Sequence, residues 1–422
     1  MDKFIIKGPT PLQGTIPISG SKNAALPLMA AAILGDTPST ISLVPKLKDI
    51  YTFNNVIRVT GTAVLFDEAK NTLSIDPANL GFAEAPYELV RKMRASFYML
   101  GALMGKTGEA KVSLPGGCAW GPRPVDLHLK GMEAMGAKIA HEKGYVIGSF
   151  PGDTVAGGEF ELNPSSVGAT VNLVLAAVRR AEHFVIKNAA REPDVVLLCN
   201  ALIQMGANID GAGTDTITIK KAAGLKGMDI SNDPDRIETG TFMIAAAMHP
   251  ESSVILTGGK PEQLGIFTET FRKTGAVLDI NETTISVKAP EKIKPVSVKT
   301  EIYPGFPTDL QAQWATLMTQ ASGKSHIVDS IYFDRFSYVP ELNRLGADLN
   351  RIKNKVEITG GSSLSGTSVM STDLRASVSL VLAGMVANGS SEILRIYHLD
   401  RGYEDLEKKL TDAGASITRI DA

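Results

Sequence analysis

The sequence is poor in the residues that disulfide-stabilised, metal-dependent and membrane proteins need. Its 422 residues include 2 cysteines, too few for a disulfide framework, and 6 histidines without the spacing of metal ligands. No stretch reaches the roughly 18 consecutive apolar residues that a membrane-spanning helix requires, and the N-terminus lacks an apolar signal core. These absences predict a cytoplasmic chain with no metal, no cofactor and no membrane span.

An excess of charge of either sign is also missing. The chain carries 43 lysines and arginines against 45 aspartates and glutamates, a formal net charge of -2. This balance argues against nucleic acid or an anionic membrane as the partner. Complete glycine-rich loops for dinucleotides or nucleoside triphosphates are absent, because Gly323-Lys324-Ser325 lacks the spaced glycine that should precede it. What remains is an ordinary globular composition, with enough apolar residues for two sizeable cores.

The feature most informative about architecture is a repeat. A glycine that ends a helix and opens a strand recurs at intervals of about 70 residues. The six positions are Gly61, Gly136, Gly206, Gly275, Gly346 and Gly414. Such a period is too long for the common solenoids, so we expect six equivalent units in a closed or paired architecture.

Two kinds of helix alternate within each unit. One kind is apolar nearly all round, which indicates burial on every side. Its six members are predicted at 24–34, 95–104, 169–178, 240–248, 310–319 and 376–386. The other kind is amphipathic, as in the stripe of Tyr403, Leu406 and Leu410. Short alternating strands separate the helices. We therefore predict an α/β fold of six strand–helix–strand–helix–hairpin units, three in each of two domains, with buried helices inside and sheets around them.

Charged and polar residues collect at the predicted starts of these helices. At the buried helices they are Lys22-Asn23, Arg94, Ser166-Val167-Gly168, Asp235-Arg236, Thr308-Asp309 and Asp373-Leu374-Arg375. At the amphipathic helices they are Arg123-Pro124-Val125-Asp126, Arg191-Glu192-Pro193-Asp194, Asp334-Arg335 and Asp400-Arg401. For any single position, helix capping is an alternative explanation. For the set, a polyanion site is favoured, because capping does not explain lysine and arginine where the helix dipole disfavours cations.

The two cysteines are predicted to differ. Cys118 lies in a glycine- and proline-rich loop from Pro115 to Pro124, which favours exposure, and Arg123 would favour its thiolate. An incidental loop cysteine remains an alternative. Cys199 shares a helical stripe with apolar neighbours, which predicts an inert core position.

Together these motifs resemble the UDP-N-acetylglucosamine 1-carboxyvinyltransferase family over essentially the whole chain. The matching segments are Ser19–Pro27, Met93–Ser96, the Cys118 loop through His128, Asn188–Pro193, Pro234–Gly240, Phe306–Asp309, Thr372–Ser377 and Tyr397–Glu404. The resemblance implies a two-domain inside-out α/β barrel. Residues 22–230 would form the first domain, residues 1–21 plus 231–422 the second, and the active site would lie in the cleft between them.

The resemblance also implies roles for individual residues. Cys118 would donate a proton, Asp309 would act as base, and Lys22 and Arg401 would be further catalytic residues. Phosphoenolpyruvate would be bound by Lys22, Asn23, Arg94, Arg123 and Arg401. UDP-N-acetylglucosamine would be bound by Asn23, Arg94, Arg123, Pro124, Val125, Asp126, Leu127, Pro164, Ser165, Ser166, Val167, Gly168, Asp309 and Ile331. Arg335 and Arg375 would stabilise the charged intermediate.

The chain departs from the family pattern at Pro164, where a lysine is common, so one charge contact to the diphosphate is expected to be missing. Two rival functions remain. One is 5-enolpyruvylshikimate-3-phosphate synthase, which shares the fold and the donor but lacks the cysteine loop. The other is a catalytically retired paralogue that binds a nucleotide sugar.

Overall fold

The computed structural model describes residues 2–91, 93–114 and 125–421. Their contacts divide the chain into two compact units. The first unit contains residues 20–91, 93–114 and 125–233, and the second contains residues 2–19 and 234–421. The N-terminal segment thus belongs to the same unit as the C-terminal half of the chain.

Helices and strands alternate along both units. The α-helices of the described ranges are α1 Lys22–Ala32, α2 Lys48–Arg58, α3 Tyr87–Val90, α4 Tyr98–Thr107, α5 Asp126–Met135, α6 Val167–Arg180, α7 Pro193–Met205, α8 Arg236–Ala247, α9 Ile266–Arg272, α10 Gln311–Thr319, α11 Val339–Arg344, α12 Leu374–Val386 and α13 Leu406–Asp412. Short 3₁₀ helices span Arg94–Phe97, Pro261–Leu264, Thr308–Leu310 and Ile396–Arg401.

The strands are short. They are β1 Lys3–Gly8, β2 Gln13–Pro17, β3 Ser39–Ser42, β4 Ala63–Asp67, β5 Thr72–Asp76, β6 Glu84–Ala85, β7 Glu109–Ser113, β8 Lys138–Glu142, β9 Tyr145–Ser149, β10 Val155–Glu161, β11 Ala181–Lys187, β12 Asn208–Asp210, β13 Thr216–Lys220, β14 Asp229–Ser231, β15 Ser253–Thr257, β16 Val277–Ile280, β17 Thr284–Lys288, β18 Val298–Thr300, β19 Lys324–Asp329, β20 Asp348–Ile352, β21 Lys355–Thr359, β22 Ser368–Met370, β23 Gly389–Leu394 and β24 Ser416–Ile420.

These strands form six four-stranded sheets with one shared topology. In each sheet an edge strand runs parallel to an inner strand, which pairs antiparallel with the next strand, and a fourth strand pairs antiparallel with that one. The last two strands form a hairpin in five of the sheets, whereas in β22-β23-β1-β24 they are β1 and β24. In β18-β19-β21-β20, for example, Val298 lies opposite Ile327 in the parallel pair, and Ile327 opposite Val356 in the antiparallel pair. The predicted six-fold repeat is confirmed, with three sheets in each unit.

The N-terminal strands complete two sheets of the second unit. Strand β1 lies between β23 and β24 and pairs antiparallel with both, so Ile6 faces Ser391 on one side and Ile417 on the other. Strand β2 runs parallel to β15 at the edge of another sheet. Both ends of the chain therefore contribute to this unit.

Three helices fill the centre of each unit. In the first unit α1, α4 and α6 pack against one another, and in the second α10 packs against α8 and α12. They are apolar on nearly every face: residues Ala24 to Ala32 of α1 are all buried, and so are Arg375 to Met385 of α12. The predicted buried helices are confirmed. Across the described ranges, no helix is long and apolar enough to cross a membrane.

The six repeat glycines adopt the predicted left-handed conformation. Their φ angles lie between 91° and 112°. At Gly136 and Gly206 the backbone N–H groups close α5 and α7 by donating to carbonyls of the last turn. A side chain at such a φ would strain the backbone, so the glycines fix where each helix stops and the next strand begins.

Candidate active site

Asp309 lies between two arginine side chains in the second unit. Its Oδ1 is 2.6 Å from Nη2 of Arg335, and its Oδ2 is 3.7 Å from Nη2 of Arg375. Both guanidinium groups are buried, whereas the Asp309 side chain is 28% exposed. Asp309 belongs to the 3₁₀ helix Thr308–Leu310. The residue before this helix is Pro307, and no side chain caps the helix. Helix capping is therefore the wrong interpretation for Asp309, which instead pairs with two cations.

The two arginines control the charge of Asp309. Burial by itself would raise the pKa of this carboxyl, but the positive charges of Arg335 and Arg375 outweigh burial and hold its pKa well below the usual range. Asp309 is therefore ionised at neutral pH. It can accept a proton, but it is a weak base for as long as both guanidinium groups face it.

Asp329, which sequence reasoning did not single out, organises the surroundings of Asp309. Its carboxylate accepts hydrogen bonds from Thr300 and Thr308, each at 2.7 Å, and from the backbone N–H groups of Ile331 and Tyr332, each at 2.9 Å. Thr308 in turn accepts a bond of 3.2 Å from Arg335. The completely buried Asp329 thus fixes both the turn that carries Ile331 and the threonine beside Asp309.

Three other carboxylates or hydroxyls at helix starts are caps. Asp373 accepts from the N–H groups of Arg375 and Ala376, Asp235 accepts from Ile237 and Glu238, and Ser166 accepts from Ala169. The capping interpretation is confirmed at these three positions. Capping by Asp373 also fixes the first turn of α12, from which the Arg375 side chain extends.

Arg401 ends the 3₁₀ helix Ile396–Arg401 rather than starting the next α-helix, which begins at Leu406. It is half-buried. The neighbouring Asp400 pairs with Arg419 at 2.7 Å. The carboxylate next to Arg401 in the chain is therefore paired with Arg419.

Lys22 is the first residue of α1 in the first unit. Ser21 caps the helix by accepting from the N–H of Ala24 at 3.2 Å, and the Lys22 ammonium lies 2.9 Å from the carboxylate of Asp49. The two side chains are only 12% and 7% exposed. Asn23 is half-buried beside them. Asp49 therefore balances and orients a lysine that the helix dipole disfavours at this end.

Arg94 and His128 lie close enough to interact electrostatically. Burial lowers the pKa of His128 to about 4, with a further contribution from the positive charge of Arg94. The ring Nδ1 is 2.8 Å from Nδ2 of Asn172, whose amide also bonds Phe97 and Gly101. His128 is therefore a neutral imidazole at physiological pH, held by a side chain from the centre of α6.

The starts of α5 and α6 carry the remaining predicted sugar-nucleotide residues of the described ranges. Val125 precedes α5, whose first two residues are Asp126 and Leu127. Pro164 is exposed, and residues 165–168 are half-buried at the start of α6. A Cβ at Gly168 would lie 3.2 Å from Cε1 of His128, so the two helix starts are adjacent. His128 and Asn172 were missed as supporting residues, although His128 belongs to a matched motif.

Cys118, Arg123 and Pro124 lie outside the described residues. The other cysteine, Cys199, is completely buried, and burial raises the pKa of its thiol to about 12. The prediction that Cys199 is an inert core residue is confirmed. Among the residues that the structure describes, no group of three histidine, cysteine or acidic side chains is arranged to hold a metal.

Comparison with known proteins decides the family. A relative from Pelodictyon phaeoclathratiforme is 48% identical over 420 residues, covering 99% of this chain and 98% of the relative. Another from Chlorobaculum parvum is 49% identical over 99% of this chain and 98% of its own. Both bear the name UDP-N-acetylglucosamine 1-carboxyvinyltransferase. The chain belongs to the UDP-N-acetylglucosamine 1-carboxyvinyltransferase family. It is therefore an enzyme of the transferase class.

Wider comparisons show that this chain shares its fold with enolpyruvyl transferases. Residues 6–410 match the family model of EPSP synthase, 3-phosphoshikimate 1-carboxyvinyltransferase. The enolpyruvyl transferase NikO from Streptomyces tendae superposes with a TM-score of 0.90 at 24% identity, covering 100% of this chain and 99% of its own. EPSP synthase from Acinetobacter baumannii gives a TM-score of 0.78 at 17% identity, with 100% of both chains covered. The predicted two-domain inside-out α/β architecture is confirmed.

Proposed function

We propose that this enzyme transfers the enolpyruvyl group of phosphoenolpyruvate to the 3′-hydroxyl of UDP-N-acetylglucosamine and releases phosphate, as the first committed step of peptidoglycan synthesis in the cytoplasm. The observation that carries the proposal is identity of 46–49% over 420 residues to relatives named for this activity. Shikimate 3-phosphate as acceptor is disfavoured because those relatives are named for the nucleotide sugar.

The proposed reaction is an addition followed by an elimination. In the addition, the sugar oxygen bonds to the central carbon of phosphoenolpyruvate, the methylene carbon gains a proton from Cys118, and Asp309 accepts the hydroxyl proton. In the elimination, the methyl carbon returns a proton to the Cys118 thiolate and the C–O bond to phosphate breaks, and the phosphate leaves with the proton that Asp309 had accepted. The tetrahedral intermediate carries phosphate and carboxylate together, so it requires several fixed cations.

The cluster around Asp309 supports this chemistry in the second unit. Arg335 and Arg375 are buried and already oriented toward a carboxylate, as groups that stabilise an anionic intermediate should be. As negative charge develops during the addition, the two guanidinium groups are drawn toward the forming intermediate, so Asp309 loses positive neighbours and its basicity rises. In this scheme the base becomes effective as the addition proceeds. Arg401 would bind the same donor.

The helix starts of the first unit suit the phosphates of both substrates. Lys22, held by Asp49, and Arg94 and Arg123 would bind phosphoenolpyruvate. The N-terminus of α6 and the residues Asn23, Val125, Asp126 and Leu127 would bind the sugar nucleotide. Free N–H groups at a helix N-terminus favour phosphate oxygens, which offsets the absence of a lysine at position 164.

Phosphate release measured with phosphoenolpyruvate and each acceptor tests the proposal. Turnover is expected with UDP-N-acetylglucosamine and none with shikimate 3-phosphate, and mass spectrometry of the product should show the added enolpyruvyl group. Turnover with shikimate 3-phosphate alone would assign the rival transferase activity. Binding of the sugar nucleotide without phosphate release would identify a catalytically retired protein.

A further inference from the structure

Tyr403 is a buried tyrosine next to the charged cluster around Asp309. The sequence pattern placed it only in an apolar stripe. It is 3% exposed, and its hydroxyl is 3.0 Å from Nη1 of Arg375. The same hydroxyl is 2.9 Å from Oγ1 of Thr241 on α8 and 3.3 Å from Nε2 of Gln313 on α10. Thr241 and Gln313 are completely buried. One hydroxyl therefore connects the start of α12 to the two other central helices of this unit.

The direction of each hydrogen bond follows from its partners. A guanidinium only donates, so the Tyr403 oxygen accepts from Arg375. Thr241 donates its own proton to the carbonyl of Ile237 at 2.8 Å. The Tyr403 proton must therefore go to Thr241, whose oxygen also accepts from Gln313 at 3.1 Å. The chain runs in one direction, from Arg375 through Tyr403 and Thr241 to the backbone of α8, and such a chain strengthens each of its bonds.

This arrangement fixes how Arg375 presents its charge. Nη1 is held by the Tyr403 oxygen, and the guanidinium carbon lies 5.5 Å from the centre of the Tyr403 ring. Nη2 is thereby left facing the Asp309 carboxylate at 3.7 Å. Burial raises the pKa of Tyr403, so the hydroxyl keeps its proton at neutral pH and is available for the chain.

We propose that Tyr403 is a positioning residue for the transfer reaction: its hydroxyl orients Arg375 so that Nη2, on the side that faces Asp309, meets the anionic intermediate. The inference rests on the proposed function, in which Arg375 stabilises that intermediate. Tyr403 itself touches the arginine and the helix core, not the reacting atoms.

The test is Tyr403→Phe, which removes only the hydroxyl. We expect kcat to fall about 10- to 100-fold, the loss associated with one hydrogen bond to a charged group, while KM for each substrate stays within about twofold. A lower kcat with an unchanged KM is expected because Arg375 acts on the intermediate rather than on the substrates. Tyr338→Phe is the matched control, since Tyr338 is 1% exposed and its hydroxyl donates to the side chain of Gln311 at 2.7 Å. Its kcat should change by less than about twofold.

A double-mutant cycle with Arg375→Lys distinguishes positioning from a general loss of stability. If Tyr403 acts through Arg375, adding Tyr403→Phe to Arg375→Lys should reduce kcat little further. Fully additive losses, or wild-type kcat in Tyr403→Phe, would overturn the inference and leave the proposed function standing. A wild-type enzyme that releases no phosphate would contradict the proposed function and the inference with it.

Thr241→Val provides a second variant if Tyr403→Phe does not fold. It keeps the tyrosine hydroxyl but removes the acceptor of its proton. A smaller fall in kcat, again with KM preserved, is expected because the Tyr403 oxygen becomes less negative toward Arg375. Unchanged kcat in a folded Thr241→Val variant would count against the hydrogen-bond chain.

Discussion

The two units share one topology, but the arginines that they bury among the described residues lie at opposite ends of the central helices. In the second unit, Arg335 and Arg375, each 6% exposed, lie near the helix N-termini around Asp309. Among the described residues of the first unit, the arginine buried to a similar degree is Arg180, 8% exposed, at the C-terminus of α6. Its Nε and Nη2 donate to the carbonyls of Met104, Gly105 and Lys106 in the last turn of α4.

The carbonyls that follow α1 also accept hydrogen bonds from cationic side chains. Lys106 donates to the carbonyl of Gly35 at 2.6 Å, and Arg179 donates to that of Leu34 at 2.6 Å. The last turns of α8, α10 and α12 in the second unit contain no basic residue. A cation at a helix C-terminus satisfies free carbonyls and complements the dipole, whereas a cation at an N-terminus opposes it. The cations at the helix C-termini of the first unit therefore stabilise the fold, whereas the arginines near the helix N-termini of the second unit are retained at a cost in stability.

Asp309→Asn should give the largest effect, because it removes the basic group from the N-terminal cluster and preserves its shape. We expect kcat to fall about 10²- to 10⁴-fold with folding intact, the usual contribution of a general base. Phosphate release and thermal unfolding would measure the two quantities. Asp348→Asn, an exposed aspartate in the same unit, is the control. Near-normal turnover in Asp309→Asn would remove the residue as base.

Cys118→Ser should lower turnover about 100-fold or more, because a hydroxyl is a far weaker acid than a thiol and general acid catalysis depends on the donor. Cys118→Asp should keep some activity, mainly at lower pH, where a carboxyl is protonated.

The two cysteines can be compared in the same protein with fosfomycin, an epoxide that the family resemblance implies as an inhibitor. Mass spectrometry should show one adduct on Cys118 and none on Cys199, whose thiol is buried and has a raised pKa. An adduct on Cys199 alone, or full turnover in Cys118→Ser, would refute the assignment.

Arg180→Met tests the other side of the comparison. It keeps the aliphatic stem but leaves the α4 carbonyls without their donor, so the free energy of unfolding should fall by about 1–3 kcal/mol while kcat is preserved. Denaturant unfolding and phosphate release would be measured together. Arg344→Met, at a side chain 59% exposed, should change stability by less than about 0.5 kcal/mol. A loss of activity without a loss of stability in Arg180→Met would break the proposed division.

The smallest expected effect concerns Asp36, which pairs with Lys106 and Arg179 at the same helix ends. Burial alone would raise its pKa, but hydrogen bonds from Lys106 and Arg179 lower the pKa from 3.8 to about 2. A depressed pKa stabilises the folded state above the unfolded value, and this contribution is lost as pH falls from about 4 to about 2.

Asp36→Asn should therefore lower the melting temperature slightly at pH 7, and the difference from wild type should shrink below about pH 4. The effect is limited because the Asp36 side chain is 47% exposed. A difference in melting temperature that is independent of pH would show that the Asp36 charge contributes nothing.

The sequence by itself determined the architecture. Six glycines at a regular spacing, each followed by an alternating strand, predicted six units, and nearly continuous apolar stretches predicted the buried helices. Both properties are local: a left-handed cap is set by one residue, and burial on all faces is set by the composition of one helix. The structure changed helix boundaries by a few residues but not the order or number of the units.

Which charges meet was decided only by the tertiary structure. Sequence comparison named Asp309, Arg335 and Arg375, but no periodic pattern indicates that residues so far apart in the chain share one carboxylate, or that Asp309 pairs instead of capping. The supporting roles of Asp49, Asp329 and Tyr403 were missed for the same reason. An aspartate that caps, one that pairs and one that fixes a turn are chemically identical in the sequence. Only the packing of distant segments sets the distances on which their energies depend.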